Sequence, residues 1–124
     1  MNNFRGIFPT PPPLRPKSRV YDLKARLDWG DPALTIIDVR QPQEFQESHI
    51  LGAVYLPLNH LVQRALATLE ISRDIYIYGA TDEETAQAAA MLRQAGYRNV
   101  SELRGGVAAW KAVDFPVESR LMSH

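Results

Sequence analysis

The chain has 124 residues with 45% hydrophobic and 23% charged side chains, a composition typical of one globular domain. Its 14 basic and 14 acidic residues cancel, which argues against nucleic acid or an anionic membrane as a partner, because both attract a basic surface. It contains no cysteine, and this excludes disulfides, zinc–thiolate sites, iron–sulfur clusters and thiol nucleophiles.

The amino-terminal residues are rich in proline and predict an extended arm. Five prolines fall between positions 9 and 16, and few side chains there can bury an apolar face. The spacing Pro9-x-x-Pro12 and Pro13-x-x-Pro16 is typical of segments that bind aromatic grooves, although a stiff tail is the simpler interpretation. The predicted division is an arm over residues 1–17, a domain over 18–118 and an irregular tail over 119–124.

Targeting signals are missing from the printed sequence. No apolar run reaches the roughly 18–20 residues that span a bilayer. The first residues lack the charged-then-apolar pattern of a secretory signal. We therefore expect a soluble protein in the cytoplasm.

Strand and helix patterns alternate from Ser18 onward, which predicts an α/β domain with a mostly parallel sheet and helices on both faces. Helices are predicted from helical spacing of apolar residues, and strands from short branched apolar runs. The predicted elements, in chain order, are a helix over 18–29 capped by Ser18, a strand over 33–39, a helical turn from Pro42, a strand over 52–57, a helix over 58–70, a strand over 74–79, a helix over 82–95, a strand over 98–103 and a short helix after Gly105-Gly106. After Pro116 the tail looks irregular.

Three segments carry a resemblance. They are "IIDVRQPQEFQESHILGAVYLP" over residues 36–57, the strand, loop and helix of 75–93 with the "AGYRNVSEL" that follows, and "LRGGVAAW" over 103–110. Together, in this order, they resemble the rhodanese family of sulfurtransferase-like domains across roughly residues 18–118. The resemblance implies a single α/β domain around a parallel sheet.

The resemblance also implies a chemistry at the end of the 74–79 strand. In the family, a cysteine at the start of a six-residue loop takes a sulfane sulfur from a donor and passes it to an acceptor, and an arginine is common at the sixth position. Here Gly79 stands at the cysteine position and Glu84 at the arginine position. The loop is Gly79, Ala80, Thr81, Asp82, Glu83 and Glu84.

The residues of this loop favour helix capping over catalysis. Carboxylates in a first helical turn satisfy the positive end of the helix dipole. Thr81 and Glu84 fit a capping box, in which Thr81 accepts from the N–H of Glu84 and Glu84 reaches back to the N–H of Thr81. Such a cap contributes on the order of 1 kcal/mol. The alternative is a ligand role, and the candidate binding residues are Arg40, Thr81, Asp82, Glu83, Glu84 and Arg104.

The remaining motif residues have structural interpretations. Asp38 is expected to accept from backbone N–H groups of a neighbouring loop, and Arg40 to form an ion pair with Glu44 that fixes the turn. His49 is expected to be hydrogen-bonded rather than a metal ligand, because the histidines lack metal-site spacing. The other motif positions are Gly52, the pair Gly105-Gly106, which permits close backbone approach beside the loop, and Trp110, which is expected in the core.

These observations favour a non-catalytic module that binds a protein partner through the acidic loop or the proline arm, without a metal or cofactor. Two alternatives stay open. One is a sulfurtransferase that uses another nucleophile or the cysteine of a partner chain. The other is a sensor that binds a neutral or cationic small molecule at the strand ends.

Overall fold

A computed structural model describes residues 13–30 and 33–120. The strands are β1 (Lys17–Ser18), β2 (Leu34–Asp38), β3 (His49–Ile50), β4 (Val54–Tyr55), β5 (Asp74–Tyr78), β6 (Val100–Leu103) and β7 (Val117–Glu118). The helices are α1 (Val20–Trp29), α2 (Pro42–Glu47), α3 (Leu61–Thr68, after a 3-10 turn at Leu58–His60), α4 (Asp82–Gln94) and α5 (Gly106–Ala112).

Five strands form a parallel sheet in the order β1-β6-β5-β2-β4, with β5 in the centre. The register aligns Asp38 at the end of β2 with Tyr78 at the end of β5. Parallel pairing therefore brings the carboxyl ends of the strands to one edge, where ligands bind in folds of this class. The predicted α/β architecture is confirmed.

Alternate side chains of the central strands divide the core between the two faces of the sheet. Ile75 and Ile77 face α3 and α4, whose small residues Ala65, Ala88 and Ala89 allow close approach. The intervening tyrosines of β5 pack on the other face with Leu23 of α1, Phe45 of α2 and Trp110 of α5. Helices thus cover both faces, as the alternation of elements predicts.

The interpretation of Ser18 as a helix cap is wrong. Ser18 lies in β1, where its main-chain oxygen accepts from Arg104 N at 2.9 Å and its hydroxyl bonds that of Ser101. The helix begins two residues later, with Arg19 as its N-cap and the Asp22 carboxylate accepting from Arg19 N at 2.9 Å. Pairing with β6 satisfies the backbone of Ser18 and leaves capping to Asp22.

The prediction of an irregular tail after Pro116 is wrong for Val117 and Glu118, and residues 121–124 lie outside the described residues. Val117 and Glu118 form β7, which pairs antiparallel with Ile50 and His49 of β3. Arg120 N then donates to Gln46 O at 2.8 Å. The chain therefore remains attached to the domain through residue 120.

The last residues of the predicted arm, Pro16 and Lys17, contact the sheet. Pro16 O accepts from Glu102 N at 2.8 Å and from Arg93 Nη2 at 3.0 Å, and Lys17 belongs to β1. Residues 1–12 lie outside the described residues, so the arm stays a prediction. No helix in the part of the chain that the structure describes is long and apolar enough to cross a bilayer.

Candidate functional site

The loop between β5 and α4 lies at the carboxyl end of the central strand. Thr81 is the N-cap of α4, and its Oγ1 accepts from Glu84 N at 3.1 Å, as predicted. The second half of the predicted capping box is wrong, because Glu84 Oε1 accepts from Ala80 N at 2.8 Å and not from Thr81 N. The Glu84 side chain reaches one residue farther back because Gly79 offers no side chain in its path.

The Glu84 side chain lies where a side chain at position 79 would be. A Cβ placed on Gly79 would be 2.6 Å from Glu84 Oε1, 2.8 Å from Cγ and 3.0 Å from Cβ. Real Cβ atoms essentially never come within 3.0 Å of a non-bonded heavy atom. Any residue other than glycine at this position therefore requires Glu84 to move.

Thr85 is a second cap that sequence reasoning missed. Its Oγ1 accepts from Gly79 N at 2.8 Å and donates to Thr81 O at 2.9 Å, and the residue is 1% exposed. Helical spacing gives the signal, since Thr85 precedes the buried stripe of Ala88, Ala89 and Leu92 by three residues. The amides of Gly79, Ala80 and Glu84 are thus all bonded to side chains of the same loop and helix.

The acidic loop is less acidic at its surface than its sequence indicates. Asp82 Oδ1 accepts from Gly105 N at 2.9 Å, and Asp82 Oδ2 accepts from Arg104 Nε at 3.1 Å. Two candidate binding residues, Asp82 and Arg104, therefore bind each other and tie α4 to the turn before α5. Glu83 is also exposed, and its carboxylate makes no hydrogen bond or ion pair within the described residues.

The Gly105-Gly106 turn packs against the same loop. Gly106 has φ +53°, and a Cβ there would lie 3.2 Å from Gly79 O. Gly105 has φ +79°, and a Cβ there would lie 2.5 Å from Ala109 Cβ. Both positions need glycine for backbone conformation and for space. The expected close approach of this turn to the loop is confirmed.

A buried ion pair stands beside the loop, at the end of β2. Arg40 Nη2 donates to Asp38 Oδ2 at 2.7 Å, Arg40 Nε lies 3.0 Å from both carboxylate oxygens, and Arg40 N donates to Asp38 Oδ1 at 2.9 Å. Burial lowers the pKa of Arg40, but its hydrogen bonds and attraction to Asp38 outweigh burial and raise it overall. Arg40 therefore keeps its positive charge across the ordinary pH range. The expectation that Asp38 binds backbone N–H groups of a neighbouring loop is wrong, because the N–H group it accepts from is that of Arg40, two residues on.

The predicted Arg40–Glu44 ion pair is wrong. The Glu44 carboxylate accepts from Gln41 N at 3.1 Å and caps α2. Arg40 Nη2 instead donates to the main-chain oxygens of Ser48, at 2.6 Å, and Glu44, at 3.3 Å. The buried Asp38 carboxylate needs a cation more than the half-buried Glu44 does, because burial costs a lone charge several kcal/mol.

Three further motif residues have structural surroundings. His49 is buried in β3 and bonds Phe45 O and Glu118, as the hydrogen-bonded interpretation requires. Gly52 turns the chain with φ +88°. Trp110 is buried in the core, and its Nε1 donates to Pro116 O at 2.6 Å. Within residues 13–30 and 33–120, no group of three histidine, aspartate or glutamate side chains is arranged to hold a metal ion.

A cleft of about 780 Å³ opens on the other side of Glu84, between α3 and α4. Burial, and then the charge of Asp38, raises the pKa of the cleft residue Tyr55, so its hydroxyl is neutral. Sequence reasoning missed Arg64, which comes from the exposed side of α3. The walls include Arg40, Pro42, Tyr55, Arg64, Glu84 and Met91. Their charges are mixed, so the cleft selects neither anions nor cations by charge alone.

Comparison with known proteins assigns the family. The family model of the rhodanese-like domain matches residues 20–113, which contain every helix described above and five of the seven described strands, all but β1 and β7 at the ends. The chain belongs to the rhodanese-like domain family. This member contains no cysteine, in the loop between β5 and α4 or at any other position of its sequence.

Individual relatives agree with this assignment. The sulfurtransferase of Allochromatium vinosum is 35% identical over 82 residues, which are 66% of this chain and 76% of that protein. The uncharacterized protein YqhL of Bacillus subtilis is 37% identical over 75 residues, and the match spans 60% of this chain and 59% of that protein. The crystal structure of the Alr3790 protein from Anabaena sp. superposes with a TM-score of 0.82 at 52% identity, covering 85% of this chain and 94% of that one.

Proposed function

We propose that this rhodanese-like domain is a non-catalytic module that binds a protein partner at the carboxyl-end edge of its sheet. The observation that carries the proposal is the position of Glu84, whose carboxylate would lie 2.6 Å from a Cβ on Gly79. Sulfur transfer needs a polarizable thiolate that survives as a persulfide. This chain replaces the thiolate with hydrogen and fills the adjoining space with a carboxylate.

The hydroxyl groups of Thr81 and Thr85 both make hydrogen bonds to the backbone of the loop. Thr81 Oγ1 accepts from Glu84 N, and Thr85 Oγ1 bonds Gly79 N and Thr81 O. Hydroxyls are poor acceptors of sulfur, and neither of these is bonded to a histidine that would activate it. These contacts weigh against the alternative of a different nucleophile within the loop.

Electrostatics at the loop also disfavour a sulfur-donor anion. In a catalytic loop, backbone N–H groups are available to hold an anion at a helix start. Here Glu84 and Thr85 occupy the amides of Ala80 and Gly79. The exposed Glu83 carboxylate adds repulsion to thiosulfate.

The purified chain is expected to give no thiosulfate:cyanide turnover above buffer, because no group at position 79 can carry the sulfur. An active thiosulfate sulfurtransferase serves as the positive control. The assay is repeated with a low-molecular-weight thiol and with a cysteine-containing protein fraction. Turnover by the chain alone would contradict the proposal, and turnover only with added protein would favour a cysteine supplied in trans.

Partner binding is expected to depend on the exposed acidic turn. Glu83→Lys reverses the charge of an exposed side chain in this turn. It should reduce capture of the specific partner from native extract by about tenfold, the size of one lost charge-assisted contact. Glu70→Lys makes the same change after α3, before the amino end of β5, and should leave capture unchanged. Deleting residues 1–12 tests the proline arm as the contact. Equal capture by all variants would contradict a role for the acidic turn.

The cleft beside Glu84 supports a second candidate function, a sensor of a small neutral or cationic molecule. Its volume of about 780 Å³ falls within the range of small-molecule sites. A molecule that raises the melting temperature of the chain, with no protein captured by the wild type, would favour the sensor over the partner-binding module.

A further inference from the structure

The imidazole of His49 is fully buried, and both of its nitrogens face oxygen atoms. Nδ1 lies 2.6 Å from Phe45 O, and Nε2 lies 3.0 Å from Oε1 of Glu118. The ring stacks on Phe45 with 3.7 Å between centroids. Because a carbonyl and an ionised carboxylate only accept, both bonds exist together only when the ring carries two protons.

The bond between His49 and Glu118 joins β3 to β7, and we call the pairing of these two strands the seam. Glu118 lies in β7 directly opposite His49 in β3. Leu51 N donates to Pro116 O at 3.2 Å, and Arg120 N donates to Gln46 O at 2.8 Å, on either side of the pair. The seam has only two residue pairs in register, so the side-chain bond is a large part of what holds it.

The charged and titratable groups around the ring come from every element that packs on it. The Glu118 carboxylate is the anion that contacts the His49 ring. Arg120 lies over the Phe45 ring, with its guanidinium carbon Cζ 5.5 Å from the ring centroid. Arg40 reaches Ser48 O but is neutralised by Asp38. The others are Glu44, which caps α2, exposed Glu47 of α2, Tyr78 of β5, whose hydroxyl accepts from Ile50 N, and exposed Lys111 of α5.

We propose that His49 and Glu118 form a proton-dependent latch, which fastens β7 to β3 while His49 is protonated and loosens β7 when His49 loses its proton. A neutral ring keeps its Nδ1–H on Phe45 O and presents a lone pair at Nε2. That lone pair then faces the Glu118 carboxylate, so two acceptors stand 3.0 Å apart. The bond is replaced by repulsion at the centre of the seam.

The latch operates within a window of pH. The hydrogen bond from His49, and then the bond from Gly52 N, lowers the pKa of Glu118. A carboxyl whose pKa is lowered on folding contributes stability above its unfolded pKa and loses it as the pH falls through the folded pKa. Acid therefore weakens the seam by protonating Glu118, and in our proposal the seam also weakens when the His49 ring gives up its second proton.

Amide hydrogen exchange of the full chain tests the latch between about pH 5.5 and about pH 8.5, the range in which histidine titrates. Protection of the Leu51 and Arg120 amides, corrected for intrinsic exchange, should fall about tenfold, the weight of one charged hydrogen bond. The fall should follow deprotonation of the His49 ring, read from its nitrogen resonances. Val39 N, which donates to Tyr78 O inside the main sheet, should not change.

Glu118→Gln separates the latch from general pH effects. A glutamine amide can donate to a neutral Nε2, so this variant should keep its seam protected and lose the pH dependence. Glu47→Gln removes an exposed charge from neighbouring α2 and should retain the wild-type pH dependence. The proposal fails if wild-type protection does not change with pH, if Glu118→Gln keeps the dependence, or if the seam stays protected around a neutral His49.

Discussion

Asp38→Asn should lower the free energy of unfolding by about 3–5 kcal/mol, the cost of leaving a buried charge without its partner. Asp38 is 0% exposed and Arg40 is 8% exposed. The amide keeps the shape of the carboxylate but removes the negative charge that four short contacts hold against Arg40. The change therefore isolates the charge from the packing.

The effect should extend to the wall of the cleft. Arg40 also donates to the main-chain oxygens of Ser48 and Glu44, so the same guanidinium holds the middle and the carboxyl end of α2 against the sheet. Without Asp38, the guanidinium gains more by turning to solvent than by staying buried. We expect faster amide exchange in α2 in addition to the loss of global stability.

Denaturant unfolding of matched variants measures the effect. Asp28→Asn is the control, because Asp28 also contacts a cation, Lys24 at 2.8 Å, but its side chain is 63% exposed. An exposed pair contributes at most about 1 kcal/mol. Equal losses for the two variants would contradict the assignment of Asp38 as the anchor of this edge.

The central sheet could be predicted because its strands are buried on both faces. Runs such as Ile36-Ile37 and Ile75 to Tyr78 carry large side chains at every position, which is typical of a parallel sheet covered by helices. Gly96 follows α4 and has φ +109°, in the left-handed region. A glycine just past a helical pattern is a signal of a helix end that the sequence itself carries. The family resemblance follows from the same segments.

Three of the four two-residue strands in the described residues could not be predicted, whereas β4 lies within the predicted strand over 52–57. β1, β3 and β7 are too short to show alternation, and their pairing depends on chain segments far apart in the sequence. Ser18 is a good helix cap by residue type, but a partner strand outweighs local preference. Trp110 helps to place the tail, because its Nε1 donates to Pro116 O just before β7.

The spacing of charged residues in the sequence also did not predict which groups they would bind. Arg40 and Glu44 are four residues apart and next to a helix start, where an ion pair is plausible. Burial decided otherwise, and burial of one side chain depends on the whole fold. In the same way, Glu84 bonds Ala80 N and not Thr81 N because Gly79 leaves room, a matter of space and not of sequence pattern.

Gly79→Ala should cost less when residue 84 is alanine. In the wild type the new methyl group meets the Glu84 side chain, which must move and give up its bond to Ala80 N. We expect a loss of about 1–3 kcal/mol. In a Glu84→Ala background the two closest atoms, Oε1 and Cγ, are gone, and only Cβ of residue 84 remains, 3.0 Å from the new methyl carbon. There the remaining contact and the restriction of the unfolded chain by alanine oppose each other, and we expect a change of less than about 1 kcal/mol.

The central claim is that Glu84 takes the place of the missing side chain at position 79. The free energy of coupling between Gly79→Ala and Glu84→Ala measures it directly, from the unfolding of the wild type, both single variants and the double variant. The structure predicts coupling of about 1 kcal/mol or more, with the double variant more stable than additivity allows. Additive single effects would contradict the claim, because they would mean that Glu84 does not occupy that space.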